Sequence, residues 1–201
     1  MKPLCIDLFC GLGGWSDGFL AEGYDCVGFD MERHDYGTGG YPGQLVLQDV
    51  LTLHGSQFRN ASVIVASPPC TEFSYRGRYG RKKNLPPPVL GIELFNACFR
   101  IAQEANVPLV VENVVWAQPF VGQARAHWGS QYLWGDIPAV LPIRLSHEGR
   151  KGNHAGLRSR SAGSRSAKRK QMTAELSKIP FALSQHIARV FKPDSTESFS
   201  R

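Results

Sequence analysis

Three short stretches bring together residue types that can do chemistry. In Ser67-Pro68-Pro69-Cys70-Thr71-Glu72-Phe73-Ser74, a cysteine follows the apolar run 62–66. A deprotonated thiol is a strong nucleophile, and the two prolines before it restrict where Cys70 can point. In Val110-Val111-Glu112-Asn113-Val114, a carboxylate emerges from another apolar run. Such a group is costly unless it is paired or functional. In Asp7-Leu8-Phe9-Cys10-Gly11-Leu12-Gly13-Gly14, glycines separate a strand-like run from a helix-like one. Glycines let a backbone pass close to a ligand, and a helix amino terminus presents unpaired N–H groups. This turn lacks both the Gly-Lys-Ser/Thr of a phosphate-binding loop and a full G-x-G-x-x-G. Asp30 ends the next apolar run, where an acid binds ribose hydroxyls in nucleotide-binding folds; an ordinary surface acid is the alternative. Cys5, Cys26 and Cys98 read as buried, inert thiols.

The elements that must hold these residues can be read from periodicity. Strand-like runs lie at 4–9, 26–30, 45–47, 62–66 and 108–112. Trp15, Phe19 and Leu20 have helical spacing, and 89–105 carries Leu90, Leu94, Ala97, Cys98 and Ile101 on one helical face. Strands alternating with helices predict an α/β fold with a mostly parallel sheet. Cys70 and Glu112 would then share the carboxyl edge of that sheet, where open α/β folds bind ligands. Pro86-Pro87-Pro88 stiffens the approach to the second helix. Residues 172–191 hold two helical patterns broken at Pro180, the second with Leu183, Ile187, Ala188 and Phe191 at core spacing. The whole of 1–201 reads as one domain with two basic loops, 71–88 and 150–170.

Composition narrows the class. A chain of 201 residues with 42% hydrophobic and 20% charged residues is an ordinary globular domain. No apolar run approaches the roughly 20 residues of a membrane span, and Met1-Lys2-Pro3-Leu4 leads directly into the first strand, so no signal peptide is expected. The five cysteines are odd in number and form no C-x-x-C pair, which points to a reducing cytoplasm and away from a disulfide framework or thiolate zinc site. The net charge of +6 is uneven: residues 150–170 hold eight Lys/Arg and no acid, and Arg76, Arg78, Arg81, Lys82 and Lys83 form a second acid-free run. The remainder is acidic. Tyr75 and Tyr79 interleave with the second run, which favours nucleic acid over a merely solvated loop.

Taken together, the Asp7–Gly14 turn, Pro69-Cys70 with Phe73-Ser74, and Glu112-Asn113-Val114 resemble, in order, the motifs of the DNA (cytosine-5)-methyltransferases. The resemblance covers roughly the first 115 residues. It implies a Rossmann-like S-adenosylmethionine-dependent methyltransferase fold with helices on both faces of the sheet. By the same resemblance, Asp7, Phe9, Gly11, Gly13, Gly14, Asp30, Met31, Asp49, Val50 and Pro68 would form the cofactor site, Asp30 taking the ribose and Asp49 the adenine amino group. Cys70 would add to carbon 6 of cytosine and Glu112 would bond to ring nitrogen 3 and the exocyclic amine. Asn113 would complete the catalytic strand end, and Arg125 would be the partial counterpart of the family's Q-x-R-x-R element. The target base would be flipped from double-stranded DNA. Ser74, Tyr75, Arg76, Arg78, Arg81, Lys82 and Lys83, with Arg158, Arg160, Arg165 and Lys168 of the second loop, would contact the nucleic acid.

The chain also departs from the family pattern. Thr71 stands where Gln is usual, and little room is left between Trp134 and Lys170 for a large target-recognition region. The expectation is a minimal monomeric enzyme of the bacteriophage, prophage or restriction-modification kind, without a metal, reading a short site. An RNA cytosine-5 methyltransferase, or transfer of another group from a modified cofactor, would keep the same thiol chemistry. A retired DNA-binding module would need neither Cys70 nor Glu112.

Overall fold

A computed structural model describes residues 1–37, 39–74, 86–139, 171 and 174–193. Its centre is a seven-stranded sheet. The first five strands are β1 (Leu4–Leu8), β2 (Asp25–Asp30), β3 (Gln44–Leu47), β4 (Val63–Ala66) and β5 (Leu109–Asn113). They pair in parallel in the order β3-β2-β1-β4-β5. The chain moves outward from β1 through β2 to β3, then returns to the other side of β1 with β4. That reversal opens a crevice beyond the carboxyl ends of β1 and β4, the place where such sheets bind ligands.

The central strands β1, β4 and β5 are covered on both faces, so their residues are divided by the pleat rather than into core and solvent, whereas β3 at the edge is partly exposed. Ile6, Leu8, Ile64, Ala66 and Val111 face one core with α2 (Val89–Ala105), which contributes Phe95, Cys98, Ile101 and Ala102. Cys5, Val63, Val65 and Val110 face the other, with Trp15 and Phe19 of α1 (Gly14–Ala21) and a carboxyl-terminal helix, Phe181–Val190, whose Leu183, Ile187 and Ala188 are buried there. Asp7 shares the α1 face with Cys5 because it lies two residues further along β1. Helix α2 ends at Asn106, left-handed at φ 57°, one of the few residues besides glycine that adopts this cap readily.

The predicted strands and helices appear with their boundaries moved by a residue or so. The sheet is larger than the periodicity implied. A one-turn helix, α3 (Gln118–Val121), leads to β6 (Ala126–Trp128) and β7 (Gln131–Gly135), and Phe181–Val190 is therefore α4. β7 runs antiparallel to β5, and β6 antiparallel to β7 on the outside. The two are joined at Gly129-Ser130, with Gly129 at φ 64°. A glycine opening a two-residue connection is a hairpin signal; it lay unused because three-residue β6 has too few positions to display alternation. A second correction concerns the loop expected at 71–88: residues 71–74 are helical. The remainder of that loop to residue 85, and all of 150–170, lie outside the described residues. No described helix is long and apolar enough to cross a membrane.

Candidate active site

The turn after β1 is built to leave space. Phe9 is left-handed at φ 59°, a conformation costing a bulky residue about 1 kcal/mol or more, and Gly11 follows at φ 50° with open space where a β-carbon would stand. The Gly11 amide donates to Asp30 Oδ2 at 3.0 Å, and the Met31 amide to Asp30 Oδ1 at 2.8 Å. Asp30 therefore joins the end of β2 to the glycine turn. His34 Nε2 stands 3.4 Å from Asp30 Oδ1, with Tyr36 beside its ring.

These residues rim one end of a hollow of about 970 Å³, large enough for a nucleoside-sized ligand and a second small molecule. Asp7, Phe9, Gly11, Gly14, Asp30, Met31, Asp49, Val50 and Pro68 line it, as do Cys70 and Glu112. Asp49 accepts from the Leu51 amide at 2.9 Å, which caps the short helical turn Val50–Thr52 and holds Val50 under the hollow. Asp7 is only 1% exposed and accepts from Ser16 Oγ at 2.7 Å. Burial pushes its carboxyl well above the usual carboxylate range; the Ser16 bond opposes this, while Cys26 and Asp30 add to it. No cationic side chain pairs with Asp7 among the described ion pairs.

Cys70 and Glu112 enter the same hollow from adjacent strands. Ser67, at the end of β4, accepts from Trp15 Nε1 at 3.0 Å. Asn113 Nδ2 donates to the Pro68 carbonyl at 3.0 Å. The Ser74 amide then closes a helical turn on the Cys70 carbonyl at 2.8 Å, and Glu72 Oε2 accepts from the Gly91 amide in the first turn of α2 at 2.6 Å. The backbone around Cys70 is thus held from β5, α1 and α2. Its side chain is half-buried, whereas Cys5, Cys10, Cys26 and Cys98 are buried, and burial pushes the thiols of Cys10 and Cys98 up. Glu112 is 4% exposed at the strand end. A thiol and a carboxyl group opening on one cavity can act on two edges of a planar ring.

Four of the expected site residues do not line the hollow. Asn113 is buried and absent from the hollow's wall; its Oδ1 accepts from the Val114 amide while Nδ2 donates to Pro68, so it ties the end of β5 to the turn after β4. Arg125 lines a separate hollow with Trp134 and Asp136, because its amide pairs with Leu133 as the chain enters β6. Gly13 faces away, where a β-carbon would meet Pro42 Cδ at 2.3 Å. Ser74 serves the helical turn behind Cys70. Of the expected nucleic-acid contacts, Tyr75, Arg76, Arg78, Arg81, Lys82, Lys83, Arg158, Arg160, Arg165 and Lys168 fall outside the described residues.

Sequence reasoning passed over several wall residues: Glu32, His34 and Tyr36 beyond β2, Leu94 on α2, and Ser177, Lys178 and Ile179 before α4. The first three followed an identified acid and could have been suspected. The last three join the site because α4 packs on α1, where Gly14 leaves room for the backbone of Ile179. Lys178 also pairs with Asp17 of α1 at 2.8 Å.

Comparison with known proteins agrees with this geometry. Residues 4–116 match the family described as C-5 cytosine-specific DNA methylase. Type II methyltransferase M1.HphI of Haemophilus parahaemolyticus is 36% identical over 91 residues, covering 40% of this chain and 24% of that protein. Among solved structures, a prophage-encoded Escherichia coli protein described as a DNA modification methyltransferase aligns at 24% identity and TM-score 0.44, over 58% of this chain and 33% of its own. The Entamoeba histolytica methyltransferase EhMeth aligns at 16% identity and TM-score 0.43, over 59% of this chain and 40% of its own. The chain thus spans well under half the length of each of these proteins. The matched segment runs from β1 through the turn after β5 and contains the glycine turn, Asp30, Cys70 and Glu112. The chain belongs to the C-5 cytosine-specific DNA methylase family.

Proposed function

We propose that the chain is an S-adenosylmethionine-dependent DNA (cytosine-5)-methyltransferase acting on a cytosine flipped out of a duplex. The observation that carries this reading is the single hollow. It is lined by the acids Asp30 and Asp49, at the end of β2 and after β3 on one side of β1, and by Cys70 and Glu112, after β4 and at the end of β5 on the other. The residues suit the cofactor: a buried carboxyl group at Asp7 with no cationic partner among the described residues favours a positively charged ligand, and acids at the ends of β2 and β3 favour hydroxyl and amino groups. Asp7, Phe9, Gly11, Asp30, Met31, Asp49 and Val50 would hold it. When bound, the cofactor supplies an electrophilic methyl group.

The remaining chemistry falls to the chain. Carbon 5 of cytosine is a poor nucleophile. Cys70, as the thiolate, adds to carbon 6, forming a C–S bond and pushing electron density to carbon 5. Glu112 bonds to ring nitrogen 3 and the exocyclic amine, where charge develops during addition. After carbon 5 is methylated, its hydrogen leaves as a proton, the C–S bond breaks, and the thiolate of Cys70 is restored. Extruding the base costs a few kcal/mol, which phosphate contacts from the basic runs, including Arg76, Arg78, Arg81 and Arg158, would help offset. The domain in this reading spans the whole chain, with residues 71–88 closing over the extruded base.

Methyl transfer from labelled S-adenosylmethionine to duplex DNA and to RNA, with Cys70→Ala beside the wild type, tests this. Label at cytosine carbon 5 of DNA, absent in the variant, is the expected result. Label confined to RNA would reassign the substrate. DNA binding with no transfer to either would leave only a binding module.

A further inference from the structure

The segment 39–43 is clamped across the glycine turn and contains none of the motif residues that carry the family resemblance. Tyr41 and Pro42 fit there only because glycines surround them. A β-carbon on Gly28 would lie 2.4 Å from Tyr41 Cζ and 2.7 Å from Cys10 Sγ; one on Gly13 would meet Pro42 Cδ at 2.3 Å; one on Gly43 would meet the Cys26 carbonyl oxygen at 2.5 Å. Three positions, on β2, before α1 and in the strap itself, thus make room for one tyrosine–proline pair. The Tyr41 ring ends at a polar chain: its hydroxyl is 2.6 Å from Ser16 Oγ, which donates to Asp7 Oδ2 at 2.7 Å.

The direction of that chain follows from proton counting. A hydroxyl has one hydrogen. When Asp7 is ionised it can only accept, so the Ser16 hydrogen goes to Asp7 and Tyr41 donates to Ser16. The sequence Tyr41 to Ser16 to Asp7 delivers donors toward the carboxylate and favours its charged form. The other groups facing Asp7 work against that form: Cys5 of β1, Cys26 and Asp30 of β2, and Cys10 of the turn are neutral or acidic. None is cationic. Burial and the nearness of Asp7 also push the Tyr41 hydroxyl up, so it keeps its proton.

We propose that Tyr41 is a positioning residue of the cofactor site, acting through Ser16 on Asp7 and through Pro42 on the glycine turn. This rests on the methyltransferase reading. S-adenosylmethionine carries a sulfonium and an ammonium against one carboxylate, so its affinity should follow the ionised fraction of Asp7. Tyr41→Phe keeps the packed ring and removes only the terminal donor. Ser16 is then free to turn away from Asp7, and a higher pH is needed to ionise the carboxyl group.

The test is calorimetric titration of the full chain, without nucleic acid, with S-adenosylmethionine and S-adenosylhomocysteine between pH 5.5 and 9. Wild type, Tyr41→Phe and Ser16→Ala are compared. At neutral pH both variants should bind S-adenosylmethionine about tenfold more weakly, the size of one hydrogen bond to a charged group. Raising the pH should restore much of the loss, and S-adenosylhomocysteine, lacking the sulfonium charge, should lose less. Unchanged affinity in Tyr41→Phe, or an equal loss at every pH and for both ligands, would overturn the inference while leaving the methyltransferase reading intact. A wild-type chain that binds neither ligand would overturn both.

Discussion

Asn113 and Pro68 are joined by a single hydrogen bond, Nδ2 to carbonyl at 3.0 Å, that ties the end of β5 to the turn carrying Cys70. Strands β4 and β5 pair only as far as Ala66 and Val111. Beyond that point the ladder no longer fixes how far apart the two strand ends lie. The Asn113 side chain takes over, and it lies immediately after Glu112. A buried amide thereby helps to hold the turn that carries Cys70 beside the strand end that carries Glu112.

Replacing Asn113 by Ala leaves the Pro68 carbonyl and the Val114 amide without these partners. The expected cost is about 2 kcal/mol, measured by urea denaturation. Turnover should fall while the Kd for S-adenosylmethionine changes little, since the residues that would hold the cofactor lie on or just after β1, β2 and β3.

Asp7 gives stability an unusual pH dependence. Its folded carboxyl titrates well above the usual range because it is buried. Above the unfolded value, about pH 4, the folded protein therefore holds a proton that the unfolded chain has lost. This group's contribution is fully present below that pH and declines as pH rises toward the folded value. Asp7→Asn, which keeps an acceptor for Ser16, should gain stability relative to wild type as pH increases from 4 to 8. A constant difference across that range would contradict the assignment.

Gly18→Ala should destabilise, against helix propensity. Alanine is favoured over glycine within a helix by about 1 kcal/mol. At Gly18, however, a β-carbon would stand 2.3 Å from the Gln185 amide nitrogen of α4. Separating α1 from α4 also disturbs Ile179 at the edge of the hollow, so thermal stability and S-adenosylmethionine affinity should fall together.

Only one of the five thiols should react readily in the folded state. Cys70 is half-buried, whereas the other four are buried. The Cys26 thiol is drawn down by its contacts with Cys5 and Ser16, but at 4% exposure a reagent cannot reach it. Titration with a thiol reagent should show one fast equivalent, lost in Cys70→Ala, and five after unfolding.

Much of this was legible in the amino-acid order, for definite reasons. The stretches 63–66 and 109–111 are apolar throughout because β4 and β5 are covered on both faces, and each is followed by a polar residue at the crevice. Tyr41 was illegible: its meaning depends on Gly13 and Gly28, distant in sequence and brought beside it by β1–β2 pairing. The place of Arg125, in a hollow apart from Cys70 and Glu112, was not legible from Gln123-Ala124-Arg125, because the pairing of its amide with Leu133 depends on the hairpin β6–β7. The hairpin β6–β7 escaped because three-residue β6 displays no alternation.

The most direct measurement of the central claim uses duplex DNA of random sequence with 5-fluorocytosine in place of cytosine. Fluorine cannot leave carbon 5 as a proton does, so a cysteine adduct formed during methylation persists. With S-adenosylmethionine present, mass spectrometry of the digested complex should find a methylated fluorocytosine joined to the peptide containing Cys70, and none in Cys70→Ala. Methylated DNA formed without any such adduct, or formed equally by Cys70→Ala, would contradict the account.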